Sequence, residues 1–206
     1  MKKILSLALA VLMLLCLPFS LASCKKEPFD LKKAYTQKTP TVDHETNCVQ
    51  IEFEHGAYIV IRLYPGTAPK TVANFKKLVN QKFYDGLTFH RVIEGFMIQG
   101  GDPQGNGLGG ADEDIYGEFI NNGWDNNISH ERGVVSMARN GYDMNSASSQ
   151  FFIMHQTKTH LDGDYAAFGE VIRGIETVDA IAAVETNESD KPLTPIKIKT
   201  ISYVEG

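Results

Sequence analysis

Cysteine is scarce in this chain of 206 residues: of the three present, Cys16 and Cys24 lie near the amino terminus and Cys48 stands alone. No intramolecular disulfide framework can be built from that set, so the fold has to rest on its apolar core. Cys48 itself reads as a small half-buried apolar residue beside the first strand rather than a reactive thiol. Positive charge is also short, with 20 Lys and Arg against 25 Asp and Glu, which excludes the basic stripe that a nucleic-acid partner needs. The six histidines, at 44, 55, 90, 130, 155 and 160, contain neither an HExxH sequence nor a pair at i, i+4, so the pattern calls for no metal. A GxSxG elbow is lacking too, and a hydrolase triad composed from Ser136, His155 and Asp162 therefore has nothing behind it. Gly105, Gly107 and Gly110 spell GxGxxG, but Asp112 to Gly117 is not a helix pattern, which leaves a glycine-rich loop rather than a dinucleotide site. There is no internal repeat.

What is present begins with an address. Lys2 and Lys3 precede an apolar run from Ile4 to Leu17, too short for a membrane span, and small residues follow at Ala22 and Ser23. Leu21, Ala22, Ser23 and Cys24 resemble the lipobox of bacterial lipoproteins, which implies a signal over residues 1–23 and a diacylglycerol on the Cys24 sulfur. More than one acyl chain would hold the protein durably at a membrane, facing outside the cytoplasm. Residues 24–46 are polar, lysine-rich and interrupted by Pro28 and Pro40. They read as a flexible tether whose ends lie on the order of 25 Å apart, or alternatively with Phe29 to Tyr35 as an arm packed on the domain.

Residues 47–206 suffice for one domain with a sizeable core. Val49 to Phe53 and Tyr58 to Leu63 alternate on either side of Glu54, His55 and Gly56, which is a hairpin pattern. Pro69 suits a first helical position, and Val72, Phe75, Leu78 and Val79 follow at helical spacing. A second helix is expected after Gly174, with Ile175, Val178, Ile181 and Ala182 as its stripe. Strand-like runs fill the remainder: Thr88 to Val92, Met97 to Gly100, Val134 to Ala138, Phe151 to Met154, Ala167 to Val171 and Ile196 to Val204. Many short strands with two helices suggest a mainly-β barrel or sandwich with helices at its ends.

The stretch FHRVIEGFMIQGGD, Phe89 to Asp102, sets a cation, two large apolar side chains and a carboxamide close together. If it forms two strands joined at Glu94 and Gly95, Arg91 and Gln99 share a face. With GVVSMARN (Gly133 to Asn140), SSQFFI (Ser148 to Ile153) and LDGDYAAFGEV (Leu161 to Val171), it resembles the cyclophilin family of peptidyl-prolyl isomerases in order and over about residues 47–206. The resemblance implies a closed eight-stranded antiparallel β-barrel capped by two α-helices, with a groove on its outside. It implies catalysis by Arg91 with Gln99, a proline pocket walled by Phe96, Met97, Phe152 and Leu161, and flanking contacts from Arg139, Gln150, His160 and Tyr165. The implied partners are proline-containing polypeptides, the implied chemistry needs no cofactor or metal, and nothing in the pattern requires a second chain, so a monomer is expected. Two rivals remain: a non-catalytic module or chaperone that only holds proline segments on the same fold, and a solute-binding lipoprotein, which the length does not favour.

The chain departs from many eukaryotic members at His160, where they carry tryptophan, and at Tyr165, where they carry histidine. The loop from Arg139 to Ser149 also differs from theirs in length and composition. The missing indole is a lost hydrogen-bond donor, whereas Tyr165 keeps an aromatic wall. Cyclosporin is therefore expected to inhibit weakly, and a nanomolar inhibition constant in a titration would contradict this.

Overall fold

A computed structural model describes residues 28–206. The signal reading over 1–23 and the lipid site at Cys24 lie outside the described residues. Strands β1 (Cys48–Phe53) and β2 (Tyr58–Leu63) form the expected hairpin, with Ile51 opposite Ile59. Gly56 takes φ +83° and donates to the Phe53 carbonyl at 2.9 Å, a turn conformation that glycine adopts without strain. The chain continues through α1 (Pro69–Asn80), β3 (Arg91–Ile93), β4 (Met97–Gly100), β5 (Val134–Met137), β6 (Phe151–Met154), β7 (Ala167–Arg173), α2 (Ile175–Ala182) and β8 (Ile198–Tyr203).

All eight strands join one antiparallel sheet in the order β3-β4-β6-β5-β7-β2-β1-β8. The closed barrel is thus corrected to an open, half-barrel sheet with β3 and β8 as its edges. Between those edges runs only an isolated bridge, Thr88 to Lys197, with backbone hydrogen bonds from Gly86 to Ile198, Ile198 to Leu87 and Phe89 to Ile196. The physical reason is local: β3 has three residues, and Pro192 and Pro195 ahead of β8 have no N–H to extend a ladder.

Alternation along the strands separates two apolar regions. Val49, Ile51, Phe53, Ile59, Ile61, Ile98, Val135, Phe151, Ile153 and Phe168 turn inward to the main core, where α1 adds Phe75 and α2 adds Val178 and Ile181. Their neighbours Met97, Val134, Phe152, Met154 and Ala167 turn to the other face and form a smaller cluster with Leu161. That outer cluster carries the site.

Helix α1 has Ala68 at its amino-terminal cap, which offers no side-chain acceptor. The need is met from a distance: the fully buried Glu118 accepts from the Lys70 and Thr71 N–H groups at 3.0 and 2.8 Å. A carboxylate there satisfies orphan donors and faces the positive end of the helix.

The described part of the expected tether, 28–46, packs on the domain, and the contacts extend beyond the alternative arm of Phe29 to Tyr35. Phe29 stacks on His55 at 3.9 Å between ring centroids, and Tyr35 donates to the Thr177 hydroxyl while its carbonyl accepts from Tyr58. Thr39 donates to Gln50 at 2.7 Å, and Lys38 meets Glu52 at 2.9 Å. Simple alternation would send Gln50 and Glu52 to solvent, yet both are buried beneath this arm with their polar atoms paired. Cys48 is buried and free. Replacing Glu118→Ala is expected to cost about 2 kcal/mol, since it strands buried N–H donors. Urea unfolding monitored by circular dichroism checks this, with an unchanged midpoint as the contrary result.

Candidate active site

Strands β3 and β4 turn back through Gly95, at φ +76°, whose N–H donates to His155 Nδ1 at 2.8 Å. The resulting register sets Arg91 directly opposite Gln99. Gln99 Oε1 accepts from Arg91 Nη1 at 3.4 Å, and Gln99 Nε2 donates to Gln150 Oε1 at 2.8 Å. Gln150 Nε2 in turn donates to the carbonyls of Gly107 and Gly109 at 3.1 and 2.7 Å. The relay gives each amide group a defined orientation, so the guanidinium meets a fixed acceptor. The glycine-rich loop at its far end is a scaffold wrapped around a buried carboxylate: Asp102 accepts from the Gln104, Asn106 and Gly107 N–H groups at 2.8, 2.9 and 2.6 Å. Burial opposes the charge on Asp102, but those three donors prevail and hold its carboxyl below the usual range.

Beside Arg91 lies a hollow of about 160 Å³ lined by Phe96, Met97, Gln99, Ala138, Arg139, Phe152, Leu161 and Tyr165. That is below the ~300–1,000 Å³ of sites for drug-sized ligands and suits one small apolar ring. Of the residues expected there, two stand outside it: Gln150 lines the adjoining hollow, and His160 is exposed with its ring 6.2 Å from Phe96, at the rim rather than in the wall. A second hollow of about 360 Å³ adjoins the first and shares Gln99, Ala138 and Arg139 with it. The resemblance makes Arg139 a flanking contact. Its side chain is tied into the wall, donating from Nε to the Asp164 carbonyl at 3.0 Å with its guanidinium 4.9 Å from the Tyr165 ring centroid. Such stacking fixes the aromatic at the position where the chain departs from many relatives.

Sequence reasoning missed what lies behind this wall. Ser136 is part of a buried relay, but with His130 rather than His155: Nε2 of His130 is 3.1 Å from the Ser136 hydroxyl, and Nδ1 is 3.0 Å from Asp162. A carboxylate only accepts, so Nδ1 carries the proton and the hydroxyl donates to Nε2. Ser136 has no exposed surface, so this triad is no hydrolytic site. It supports aromatic rings instead, with the His130 ring stacked on Phe152 at 6.0 Å and edge-on to Tyr165 at 6.4 Å. Only the fold reveals the partner, because His130 lies six residues from Ser136 and thirty-two from Asp162 with no sequence signature. No group of residues able to hold a metal occurs among the described residues.

A guanidinium lining a small apolar hollow, on the outer face of a curled antiparallel sheet, defines a class of β protein whose groove can seat one apolar ring beside a fixed donor. Within that class the chain belongs to the cyclophilin-type peptidyl-prolyl cis-trans isomerases: the family described as cyclophilin type peptidyl-prolyl cis-trans isomerase/CLD matches residues 48–203. It is 50% identical over 123 residues to peptidyl-prolyl cis-trans isomerase B of Bacillus subtilis (strain 168), covering 60% of this chain and 82% of that protein. It is 42% identical over 144 residues to peptidyl-prolyl cis-trans isomerase-like 2 of Gibberella zeae, where it spans 69% of itself but only 24% of that longer relative. A crystal structure of a Cryptosporidium parvum cyclophilin type isomerase, obtained in the presence of the dipeptide Ala-Pro, matches with a TM-score of 0.70 at 32% identity, covering 77% of this chain and 99% of that one.

The buried histidines make the fold sensitive to acid. Burial lowers the pKa values of His55, His90, His130 and His155, for His130 against the opposing pull of Asp162. The unfolded chain therefore binds more protons than the folded one once the pH falls below about 6.5. Stability is complete above that value and declines as the pH falls through the lowered native values. Scanning calorimetry from pH 7.5 to 5 should show a falling Tm, and His130→Gln should make that slope shallower. An equal slope in the variant would contradict the assignment.

Proposed function

We propose that the chain accelerates rotation about X-Pro peptide bonds, with the proline ring seated among Phe96, Met97, Phe152 and Leu161 and Arg91 acting on the peptide nitrogen. The observation that carries this reading is the placement of the Arg91 guanidinium at the mouth of the hollow, oriented by Gln99. The Ala-Pro dipeptide used with the Cryptosporidium relative supports a proline-containing ligand for this groove.

The chemistry follows from the barrier. Resonance between the nitrogen lone pair and the carbonyl makes rotation cost ~18–20 kcal/mol. Proline populates cis but still interconverts over roughly tens to hundreds of seconds. In the twisted state the lone pair leaves conjugation, the nitrogen pyramidalises and it becomes a hydrogen-bond acceptor. Arg91 has guanidinium donors beyond the one aimed at Gln99. A donor directed at that nitrogen bonds the twisted state and not the planar one, which is the selectivity catalysis requires. By comparison with oxyanion donors, one such contact lowers the barrier by about 3 kcal/mol, or roughly a hundredfold in rate. No proton is transferred and no covalent bond breaks. A module that only held proline segments would need the apolar walls without the oriented cation.

For the cellular role, the leader and the lipobox-like Leu21 to Cys24 support export, lipid attachment at Cys24 and assistance to the folding of exported proteins at the outer face of a bacterial membrane. Among the described residues no helix is long and apolar enough to cross a membrane. The mass of the mature amino terminus tests this reading, and an unmodified Cys24 would end it.

Catalysis is tested on the chain without its leader, carrying Cys24→Ser and keeping residues 28–46 because they pack on the domain. Arg91→Ala is expected to lower kcat/KM for a short X-Pro peptide by roughly tenfold or more with little change in Tm. Unchanged turnover would sink the assignment.

A further inference from the structure

Arg91 is held at a second point that no sequence pattern suggested. Its Nε lies 3.7 Å from Asp190 Oδ2, an ion-pair contact longer than a hydrogen bond, while a different nitrogen, Nη1, donates to Gln99. A guanidinium held through one nitrogen still turns about its stem, whereas contacts at two different nitrogens define its plane. Resting on the isomerase reading above, we propose that Asp190 is a positioning residue that fixes the plane of the Arg91 guanidinium and so aims its free Nη donors at the nitrogen of the rotating peptide.

The loop that carries Asp190 is built to hold it still. The Asp190 N–H donates to the Asn187 carbonyl at 3.0 Å, and the Asn187 side chain accepts from the N–H groups of Ser189 and Lys191 at 2.9 and 3.0 Å. The Asp190 carbonyl accepts from Val92 at 2.8 Å, which ties the loop to the residue after Arg91 on the open edge of β3. Lys191 Nζ reaches across to the Gly105 carbonyl at 2.8 Å, joining the same loop to the scaffold that ends the glutamine relay. Both anchors of the arginine are therefore mounted on one connected frame.

Stability does not explain a carboxylate at this position. Arg91 and Asp190 each keep 44% of their side-chain surface exposed, and ion pairs at such sites stabilise a fold little. Asp190 also adopts φ +61°, a conformation that costs a non-glycine residue on the order of 1 kcal/mol. Glycine would relieve that strain, so what the aspartate side chain adds lies in the pairing with Arg91.

The test is a double-mutant cycle in the full domain with its arm. Asp190→Asn keeps the side-chain size and tolerates positive φ, and it is expected to lower kcat by about threefold to tenfold with KM and Tm close to the parent. Introduced into Arg91→Ala, the same change should have no further effect. An equal fold-loss in both backgrounds, or parental kcat in Asp190→Asn, overturns the proposal. Asp190→Gly separates the backbone from the carboxylate: Tm should rise while kcat falls as in Asp190→Asn, and parental kcat would again overturn it. Failure of the isomerase reading itself would show as an inactive parent. The positioning is then read from the Arg91 Nε–H resonance by NMR, sharp and slowly exchanging in the parent and broadened in Asp190→Asn. An unchanged resonance counts against the proposal whatever the activity.

Discussion

The register of β4 is the constraint on which the site depends. Gln99 stands directly across from Arg91 on one side and from Phe152 on the other, so one residue links the cation to the apolar wall. Side chains alternate with a period of two, so a slip of one residue would turn Ile98 out of the core and drive Gln99 into it. Burial of Ile98 in the main core, opposite Val92 of β3 and Ile153 of β6, therefore sets the site geometry: the same apolar contact that stabilises the sheet turns Gln99 toward Gln150. Fold stability and site geometry are in this respect one interaction.

Features written in local pattern were legible from the sequence. The β1–β2 hairpin follows from alternation and the turn at Gly56, and α1 from Pro69 with the spacing of Val72, Phe75, Leu78 and Val79. Arg91 and Gln99 share a face because their separation matches a short hairpin, again a local property. What stayed hidden depends on distant partners. Asp190 reaches Arg91 through a loop just ahead of β8, and His130 finds Ser136 and Asp162 only after β5 and the Leu161 turn are in place. Barrel closure was inferred from strand number and family likeness, yet it turns on whether two edges pair, which the short β3 and two prolines prevent. The arm followed the same logic, because Gln50 and Glu52 read as solvent-facing until Thr39 and Lys38 cover them.

The outer face is held by different forces from the inner one. Inside, large side chains such as Phe75, Phe89, Phe151 and Phe168 pack against one another, and the Tyr84 hydroxyl among them donates to the Ser149 carbonyl at 3.3 Å. Outside, the walls of the hollow are braced by polar groups set just beneath or beside them: His130 under Phe152, Arg139 over Tyr165, Gln99 beside Met97. An apolar surface that must stay open to a ligand cannot be stabilised by closing over it. Directional contacts from behind hold it in shape while leaving its front exposed.

That division also bears on how acid acts on the protein. The proposed chemistry itself transfers no proton. The pH dependence enters through the support: His130 must stay neutral for its Nε2 to accept from Ser136 while Nδ1 donates to Asp162. Protonation would reverse the Ser136 hydroxyl and leave its hydrogen without the Nε2 acceptor, at a position closed to bulk solvent. Because the His130 ring stacks on Phe152 at 6.0 Å between centroids, the cost falls on that wall of the hollow, ahead of any change at the cation.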